Sequence, residues 1–532
     1  MSENILLNKA QQIYEDLQKR LNFKSIPTTF IADEGKKELF EKICDSENPF
    51  PEPFQHVLTE MRKPAIKKLF DDEIIPQSAA IAAVLSACSS VATEIGNLRG
   101  DDTTDAKTLC DIAFSGMQAI RLFVSNYTGE EFQKARLQSA ARVNNALNGA
   151  LHKYRSADGR DVSFHAYYMD QQRKLVEGLQ LSKPYEQYNM MSVAEDCKEL
   201  SEISAQKSAK ELENLSFDCG ACGCMLRTRE EWEDSEVGKA VTSMPLIRTK
   251  KETDTPIPSW GKVNKQGPLS GIRVLDLTHI IAGPACSRIL AEYGADVLLV
   301  RRGRFIEQEQ SLNEYDGWAG KRSIQLDFNI PEQLARVKEL IQQADIIIYS
   351  YQNGALDKFG LSETEIRKLN PGVIYADLMC FSDTVWKDRP GWAPCAEDIT
   401  GLSIRNGTLE NPVNLNGVPL DYFPGFILAL GTLLAIAEKI KTGGGYHVTT
   451  SLTRGAQYLH QCADLCKDPL PVSSSFIATK NDEPTWNSLL HYVDGCSVGG
   501  NCGFPSPATV NTKYPFRPEL LRFTDGNTGW DS

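Results

Sequence analysis

The sequence predicts an α/β protein in which a parallel sheet wrapped by helices is joined to a smaller α+β domain. The main observation is a regular alternation of strands and helices in the second half of the chain. It begins with IRVLDL at 272–277, continues with the helical segment PACSRILAEYG at 284–294 and returns as the strand ADVLLV at 295–300. A strand, a helix and a second strand in this order indicate one β-α-β unit.

The alternation then repeats. Residues 331–343 predict a helix, 344–350 a strand, and 373–378 a further strand after the helical segment SETEIRKLN. This order is typical of a Rossmann-like parallel sheet covered by helices. The first β-α turn, THIIAGPACS, lacks the G-x-G-x-x-G spacing that admits a dinucleotide pyrophosphate. The sequence therefore gives no support for NAD or FAD.

The first half of the chain looks different. It is mostly helical up to about residue 150, where HKYRSADGRDVSFHAYY predicts a hairpin with DG at its turn and begins a smaller α+β unit. Residues 230–271 pass from helical sequence into a charged run with Pro256, Pro258 and Gly261, which is typical of a linker. Since 532 residues exceed one ordinary core, we predict two units, 1–265 and 266–532.

An internal similarity relates the two units. Residues 77–100, QSAAIAAVLSACSSVATEIGNLRG, align at a constant offset with residues 421–444, DYFPGFILALGTLLAIAEKIKTGG. The similarity is weak but as long as a helix. Because apolar helices that end near glycine often look alike, duplication and chance are equally compatible with it.

Composition limits the partners and the location. A net charge of −13 argues against nucleic acid or an anionic membrane as the main partner, since either would require an excess of Lys and Arg. No apolar run reaches the roughly 20 residues that span a bilayer, and the first residues predict a polar amphipathic helix. We therefore expect a cytoplasmic protein whose 14 cysteines, spread from Cys44 to Cys502, are mostly free thiols.

Neither the cysteines nor the histidines predict a metal site. Cys219, Cys222 and Cys224 lie together in DCGACGC, but a fourth ligand at zinc spacing is missing nearby. His279 and His447 adjoin predicted strands without an evident partner, and we assign neither a role.

A longer set of motifs resembles the family III CoA-transferases, the group that contains formyl-CoA transferase, carnitine CoA-transferases and α-methylacyl-CoA racemase. The resemblance covers about 268–460 and follows the family's order. Its segments are GPLSGIRVLDLTHIIAGPACSRILAEYGADVLLVRRGR, GWAGKRSIQLDF, YSYQNGALDKFGLS, LNPGVIYADLMCF, RPGWAPCAEDITGL, DYFPGFILALGTLLA and GGGYHVTTSLTRGA.

Other segments resemble the family's smaller domain, which normally follows the Rossmann-like part. Here YRSADGRDVSFHAYYMDQQRKLVEGL and FDCGACGCMLRTREEWEDSEVGKAVTSMPLI precede it, and NTKYPFRPELLRF resembles the strand that returns from the small domain. The resemblance thus implies two fused, shortened units, as in double-length fungal members. Family III chains form interlocked dimers, so the resemblance leaves a homodimer and an intrachain pseudo-dimer open.

Asp421 matches the family's catalytic aspartate. Without the resemblance, an Asp immediately before a helix would be interpreted as an N-cap. A helix N-terminus also favours the ionised carboxylate that a nucleophile needs. The resemblance implies attack on an acyl-CoA, a mixed anhydride, an aspartyl-CoA thioester and transfer to a carboxylic acid. Gln77 stands at the matching position of the first unit, so we expect one active centre per chain.

Coenzyme A is the implied co-substrate, with acyl-CoA and a carboxylic acid as the substrates. Its phosphates carry about four negative charges, which Arg or Lys must offset. The resemblance implies contacts from Ile281, Arg302, Lys321, Arg322, Ser350, Tyr351 and Lys358. For the basic residues the alternative is a solvated surface. Their predicted placement beyond the carboxyl ends of parallel strands, where open α/β sheets bind ligands, favours the ligand site.

Two departures from the family pattern bear on the reaction. Trp392 stands where the racemase branch has a His, which disfavours racemisation, and Ala393 stands where transferases often have a Glu. We assign both to the substrate pocket. The alternatives are an acyl-CoA racemase or epimerase with another base, and a weakened member that binds CoA esters without turnover. Resemblance to fungal members suggests secondary metabolism, while the acyl donor and the acceptor stay open.

Overall fold

The structure is a computed structural model. It describes residues 2–31, 74–119, 121, 126–127, 152–188, 193–302, 317–415, 417–466, 490–496, 500–505, 507–517 and 530.

The helices are α1 (Ser2–Leu21), α2 (Gln77–Leu98), α3 (Ile112–Gln118), α4 (Met169–Gly178), α5 (Tyr185–Tyr188), α6 (Val193–Ser204), α7 (Ala209–Asp218), α8 (Arg229–Asp234), α9 (Glu236–Ser243), α10 (Ala282–Glu292), α11 (Pro331–Gln343), α12 (Glu363–Leu369), α13 (Ala393–Thr400), α14 (Leu402–Asn406), α15 (Pro419–Thr442) and α16 (Leu452–Leu465). The strands are β1 (Thr28–Ile31), β2 (Thr108–Asp111), β3 (Asn126–Tyr127), β4 (Lys153–Arg155), β5 (Asp161–Phe164), β6 (Gly223–Met225), β7 (Arg248–Thr253), β8 (Arg273–Leu277), β9 (Asp296–Arg302), β10 (Arg322–Leu326), β11 (Ile346–Tyr349), β12 (Ile374–Met379), β13 (Gly445–Ser451), β14 (Leu490–Cys496), β15 (Gly500–Pro505) and β16 (Thr509–Asn511).

A seven-stranded sheet forms the centre of the second half. Its order is β10-β9-β8-β11-β12-β13-β7, and every pairing is parallel except that of β7 with β13. All four residues of β11 are buried, which explains why its sequence is continuously apolar rather than alternating. The predicted Rossmann-like α/β class is confirmed, and so are the strands and helices expected from 272 to 378.

The predicted linker is wrong in part. Its charged run RTKKET is β7, which pairs antiparallel with β13 through Thr249 opposite Val448 and Lys251 opposite Tyr446. Residues 229–243 before it form α8 and α9. β7 lies at the edge of the sheet, where backbone hydrogen bonds hold a strand whose side chains point largely to solvent. The charged sequence of β7 is the reason that it was predicted to be part of a linker.

The described part of the chain before residue 150 is mostly helical, as predicted, but it also contains short strands. β1 and β2 pair in parallel, with Thr28 opposite Thr108, and β16 joins β2 antiparallel, with Val510 opposite Leu109. β1 and β2 have four residues each and β16 has three. Strands this short carry too few alternations to show a period of two in the sequence.

The two halves exchange returning strands. β7 from the first half completes the sheet of the second, and β16 from the second half completes the sheet of the first. α2 packs against α15, and each is followed by a strand that runs directly into a helix. The last strand residue caps that helix both times, Asp111 accepting from the N–H of Phe114 and Ser451 from that of Arg454. This matching order favours duplication over chance similarity.

By length and composition alone, α2 and α15 could each cross a membrane. Most of each is instead buried inside the protein, where the two helices pack against one another. The same composition is expected of the central helices of a protein core.

A small domain follows α3 and the short strand β3. β4, β5 and β6 form an antiparallel sheet, and the hairpin predicted at 152–168 is confirmed as β4 and β5. Helices α4 and α7 pack on this sheet. The domain docks on α13 of the second half, so residues far apart in sequence build one surface.

Asp398 on α13 holds that docking together. Its fully buried carboxylate accepts a hydrogen bond from Ser163 Oγ at 2.7 Å, lies 3.4 Å from His165 Nε2 and forms an ion pair with Lys153 Nζ at 3.1 Å. Burial alone would raise the pKa of Asp398, but the hydrogen bond with His165 and the charge of Lys153 lower it to about 2. Burial opposes the charged form of His165 too, yet the bond to Asp398 raises its pKa to about 9.

The strand exchange predicts that the halves stay together after the chain is cut between them. A protease site inserted between Asp254 and Ile257, both exposed, would separate β7 from β8. We expect the cut protein to elute as one species in native buffer and as two fragments in concentrated urea. Separate elution of the fragments without urea would contradict the exchanged arrangement.

Replacing Asp398 should destabilise the protein strongly. Asp398→Ala leaves His165 and Lys153 without their buried partner, and we expect a loss of about 3–5 kcal/mol in the free energy of unfolding. Asp170→Ala is the control, because Asp170 is an exposed partner of Lys174 at 3.6 Å and is expected to change stability by about 0–1 kcal/mol. Urea unfolding checks both variants.

The same network predicts a pH dependence. The pKa of Asp398 is lowered, so its contribution is present above the unfolded carboxyl pKa of about 4 and is lost as pH falls through about 2. The pKa of His165 is raised, so its contribution is complete below about 6.5 and is lost as pH rises through about 9. The deficit of Asp398→Ala should thus be largest between about pH 4 and 6.5. A deficit that does not change with pH would contradict this account.

Candidate active site

Asp421 lies in the first turn of α15, not at its cap. Val418 occupies the N-cap position without a side-chain hydrogen bond, and the N–H of Asp421 donates to Val418 O at 3.1 Å. Among the described residues, no group donates a hydrogen bond to the carboxylate of Asp421. The alternative interpretation, an N-cap aspartate, is therefore not what the structure shows.

The surroundings of Asp421 favour its protonated form. Burial of the carboxylate, together with the charge of Glu397, raises the pKa of Asp421 to about 7. The expectation that the helix N-terminus keeps this group ionised is therefore opposed by two stronger effects. A carboxyl group whose pKa lies near neutrality can be an ionised nucleophile or a proton carrier over the physiological range.

Glu397 on α13 is the second carboxyl group of the site, and the sequence analysis missed it. It is 3% exposed, and its Oε2 accepts from Asn414 Nδ2 and from the N–H of Leu415, both at 2.8 Å. Burial raises the pKa of Glu397 to about 7 in spite of these hydrogen bonds. Two acidic residues in the otherwise uncharged helix APCAEDIT are the signal that could have identified it.

An aromatic wall of Tyr167, Tyr168 and Trp392 stands beside the two carboxyl groups. Trp392 is the N-cap residue of α13, and its ring centroid lies 6.0 Å from that of Tyr167 and 5.6 Å from that of Tyr168. The Nε1–H of Trp392 donates to Gln171 Oε1 at 3.3 Å, which fixes the indole. The small domain thus supplies most of the wall, and Ala393 is buried at the start of α13.

Tyr167 connects this wall to Asp421. Surrounding protein and then the charge of Asp421 raise the pKa of the Tyr167 hydroxyl, although 47% of the residue is exposed. The sequence analysis placed Trp392 in a substrate pocket but missed Tyr167, Tyr168 and Gln171. Their segment, YYMDQQ, resembles the family's small domain, but the sequence does not reveal where that domain docks.

The turn between β8 and α10 brings three of the residues proposed for CoA binding together. Ile281 is the N-cap residue of α10, and Ser350 and Tyr351 follow β11. Ser350 Oγ lies against Gly283, where an added Cβ would approach it to 2.6 Å. Tyr351 stacks on His279, with ring centroids 4.4 Å apart.

Ile280 in this turn has a φ of +68°, which is unusual for a β-branched residue and stores backbone strain. The turn and Asp421 are neighbours because α10 and α15 touch through their backbones. A Cβ on Gly425 of α15 would lie 2.3 Å from Ala282 O on α10, so only glycine fits. Asp421 lies one helical turn before Gly425, at the same crossing. Asp421 therefore lies near the turn that carries Ile281, and the roles of both residues stay predictions.

Lys321 and Arg322 are placed differently from the prediction. Lys321 immediately precedes β10 and Arg322 begins it, so the expectation that they follow the carboxyl end of a strand is wrong. Lys321 is fully buried, and its Nζ donates to Asp276 Oδ2 and Ser287 Oγ at 2.7 Å and to Pro284 O at 3.0 Å. Burial lowers the pKa of Lys321. Its ammonium group holds α10 onto β8, which does not support direct contact with a CoA phosphate.

The other basic residues vary in exposure. Arg322 forms an ion pair with Asp296 at 3.1 Å, while Lys358 is exposed in a 3₁₀ segment, Asp357–Phe359, with its Nζ 4.9 Å from the ring centroid of Phe359. Arg302 ends β9, at the carboxyl edge of the sheet, and its side chain lies outside the described residues. Lys358 and Arg302 therefore stay predictions for the phosphate contacts.

His165, Cys224 and Cys395 form a buried cluster whose ligand atoms lie within 4.8 Å of one another. Hydrogen bonding explains this arrangement, because His165 is bound to Asp398 and the Cys224 thiol lies 3.1 Å from Ser163 Oγ. Burial raises the pKa of both thiols well above its ordinary value, which keeps them protonated. The cluster gives no support for a metal ion.

Comparison with known proteins identifies the family. A family model described as CoA-transferase family III matches residues 269–486. An acyl-CoA transferase of Gibberella moniliformis is 30% identical over 445 residues, which cover 78% of this chain and 76% of that protein. The succinyl-CoA–L-malate CoA-transferase beta subunit of Chloroflexus aurantiacus is 32% identical over 37% of this chain, and the match spans about half of its length, 51%.

Among solved structures, a hypothetical protein of Mycobacterium tuberculosis is 26% identical, with a TM-score of 0.35 over 37% of this chain and 57% of that chain. A CaiB/BaiF family protein of Brucella suis is 27% identical, with a TM-score of 0.32 over 37% and 56% of the two chains. The family match, and the fungal relative that aligns along most of both chains, lead to one conclusion. The chain belongs to CoA-transferase family III.

Proposed function

We propose that this enzyme moves CoA from an acyl-CoA to a carboxylic acid with Asp421 as its nucleophile. The observation that carries the proposal is the carboxylate itself. It has no hydrogen-bond donor among the described residues, burial raises its pKa to about 7, and it lies where α15 crosses the turn of α10. An aspartate that served stability alone would be capped or paired.

The proposed reaction conserves an activated acyl bond at every step. A carboxylate oxygen of Asp421 attacks the carbonyl carbon of the acyl-CoA. The carbon–sulfur bond then breaks, CoA thiolate departs, and Asp421 and the acyl group are joined in a mixed anhydride. The thiolate attacks the Asp421 carbonyl and releases the donor as a free acid, which gives an aspartyl-CoA thioester. The acceptor carboxylate then attacks the carbonyl carbon of this thioester, the carbon–sulfur bond breaks, and CoA thiolate is released as a second anhydride forms. Attack by the thiolate on the acceptor carbonyl yields the new acyl-CoA and frees Asp421.

The environment of Asp421 suits this chemistry in two ways. A carboxylate whose pKa is raised is a stronger nucleophile once it is ionised. The surrounding protein also limits access of water to the anhydride and the thioester, which water would hydrolyse. Because like charges oppose double ionisation, Asp421 and Glu397 retain part of one proton near neutral pH. When Glu397 holds that proton, Asp421 is free to attack.

Coenzyme A would lie along the carboxyl edge of the sheet. Ile281, Ser350 and Tyr351 meet there, and Arg302 and Lys358 are the proposed phosphate contacts. We retain Trp392 and Ala393 as residues of the substrate pocket, with Trp392 forming part of its wall.

The Asp421–Glu397 pair favours one second candidate, proton exchange at the α-carbon of an acyl-CoA. Two carboxyl groups that titrate near neutrality could remove and return such a proton. Deuterium incorporation from heavy water into a recovered acyl-CoA, at a rate comparable to turnover, would support this activity over transfer.

Asp421→Asn is expected to lower CoA transfer by about 10³-fold or more, because the amide cannot form the anhydride. Acid-quenched protein incubated with labelled acyl-CoA should release a hydroxylamine-trapped adduct from wild type and none from the variant. Glu438→Gln, at the exposed far end of α15, is the matched control. It should retain both CoA transfer and formation of the trapped adduct. Equal adduct in wild type and Asp421→Asn would exclude Asp421 as the nucleophile.

Glu397→Gln should move the acid limb of the pH–rate profile to lower pH. In wild type the reactive carboxylate increases as pH rises through about 7, because the pKa of Asp421 is raised by burial and by Glu397. Removing the second cause lowers that pKa while burial remains, so we expect a shift in kcat/KM of up to about one pH unit.

The other titratable groups near the pair include Asp398, Lys153, the Tyr167 hydroxyl and the Cys380 thiol, and none of them is changed in this variant. Measurement of kcat/KM between pH 5 and 9 on both proteins gives the shift. A limb at the same pH in both would show that Glu397 does not act on Asp421.

A further inference from the structure

We infer that the pocket selects acyl groups and acceptor acids that carry no second negative charge, with an aromatic or bulky apolar group next to the reacting carboxyl carbon. The inference rests on the proposed transfer at Asp421 and names the substrate class of that site. Two features support it, namely that the described cations near the acidic pair, Lys153 and His165, are already bound to Asp398, and the aromatic wall.

Among the described residues, this part of the protein contains three carboxyl groups and two basic groups, Lys153 and His165. Asp421, Glu397 and Asp398 come within reach of one another, and their mutual repulsion is evident from the raised pKa values of Asp421 and Glu397. Among the described residues, no cation lies close enough to Asp421 to lower its pKa. A substrate that enters the site therefore meets two carboxyl groups, and Lys153, the cation that acts on Glu397, is already bound to Asp398.

The described basic groups of the adjoining domain already have partners. Lys153 and His165 are bound to the buried carboxylate of Asp398. Arg227 forms a two-pronged ion pair with Glu213, with both nitrogen–oxygen distances 2.7 Å. Recognition of a second substrate carboxylate normally uses an Arg fork or a Lys ammonium. Releasing one of these groups would leave a buried acid unpaired.

The wall offers apolar ring surface instead. Trp392 is held by its bond to Gln171 and by its ring contacts with Tyr167 and Tyr168, so the surface is already formed. Tyr167 remains 47% exposed beside Asp421, although a tyrosine buries readily when apolar contact is available. An aromatic or branched acyl group fits this surface, because rings pack edge-to-face or offset on one another.

The test compares benzoyl-CoA with succinyl-CoA on the full-length enzyme. These two esters represent an aromatic acyl group and an acyl group with a second carboxylate. We expect kcat/KM for transfer to a common acceptor to favour benzoyl-CoA by at least about 50-fold. Calorimetric binding to Asp421→Asn, which cannot react, should give the same order of affinity.

Two variants make the charge of the pocket less negative in different ways. Gln171→Arg introduces a cation beside Trp392, and Glu397→Gln removes a negative charge. Each variant should lower the ratio of kcat/KM for benzoyl-CoA to kcat/KM for succinyl-CoA by about tenfold or more. Gln187→Arg adds the same charge on the exposed surface of the small domain and should leave the ratio unchanged. Far-UV circular dichroism establishes whether each variant is folded. One folded variant is enough to test the effect of pocket charge on the preference between the two esters.

The outcomes separate this inference from the proposed function. If no ester donates CoA to any acid, the proposed transfer fails, and the binding ratio on Asp421→Asn still decides the inference. Tighter binding of benzoyl-CoA supports it. Equal or better binding and use of succinyl-CoA by the wild-type site would overturn it, even if transfer itself is observed.

Discussion

The buried carboxylate of Asp398 joins the parts of the chain that build the pocket. It binds Ser163, His165 and Lys153 from the small domain, while its own helix, α13, carries Glu397 and begins next to Trp392. The aromatic wall and the acidic pair therefore have fixed positions relative to each other only while this network is intact. An ion pair of this kind adds little net stability when compared with an apolar contact, but breaking it is costly. Its main effect here is on geometry, because it sets where one domain lies on the other.

Although the two halves exchange strands, they contribute different parts of the candidate site. The second half contains the seven-stranded sheet, Asp421 and Glu397, whereas the first supplies Tyr167, Tyr168, Gln171 and the edge strand β7. Helix α2, which begins with Gln77, packs against α15, which carries Asp421. The first half thus contributes packing surface to the half that carries the predicted nucleophile.

Much of the second half could be predicted from sequence because parallel strands buried on both faces leave continuous apolar runs, as in Ile346–Tyr349. The prediction for Asp421 rests on the family motif that surrounds it. The edge strand β7 could not be predicted, since Lys250 and Lys251 face solvent and its stability comes from backbone pairing with β13. Glu397 and Lys321 were misjudged for a related reason. Whether a charged side chain is solvated or buried depends on partners such as Asn414 and Asp276, which are distant in sequence.

The pairing of β2 with β16 also constrains how the protein is made. Lys107 and Thr512, which hydrogen bond at the end of this ladder, are 405 positions apart in the chain. During synthesis β2 leaves the ribosome long before β16, and this edge of β2 stays unpaired until the chain 405 positions further on has been translated. Contacts between residues so far apart in sequence slow folding, and they prolong the time for which unpaired, aggregation-prone strand edges are exposed. The chain is therefore expected to depend on chaperones more than its stability alone would suggest.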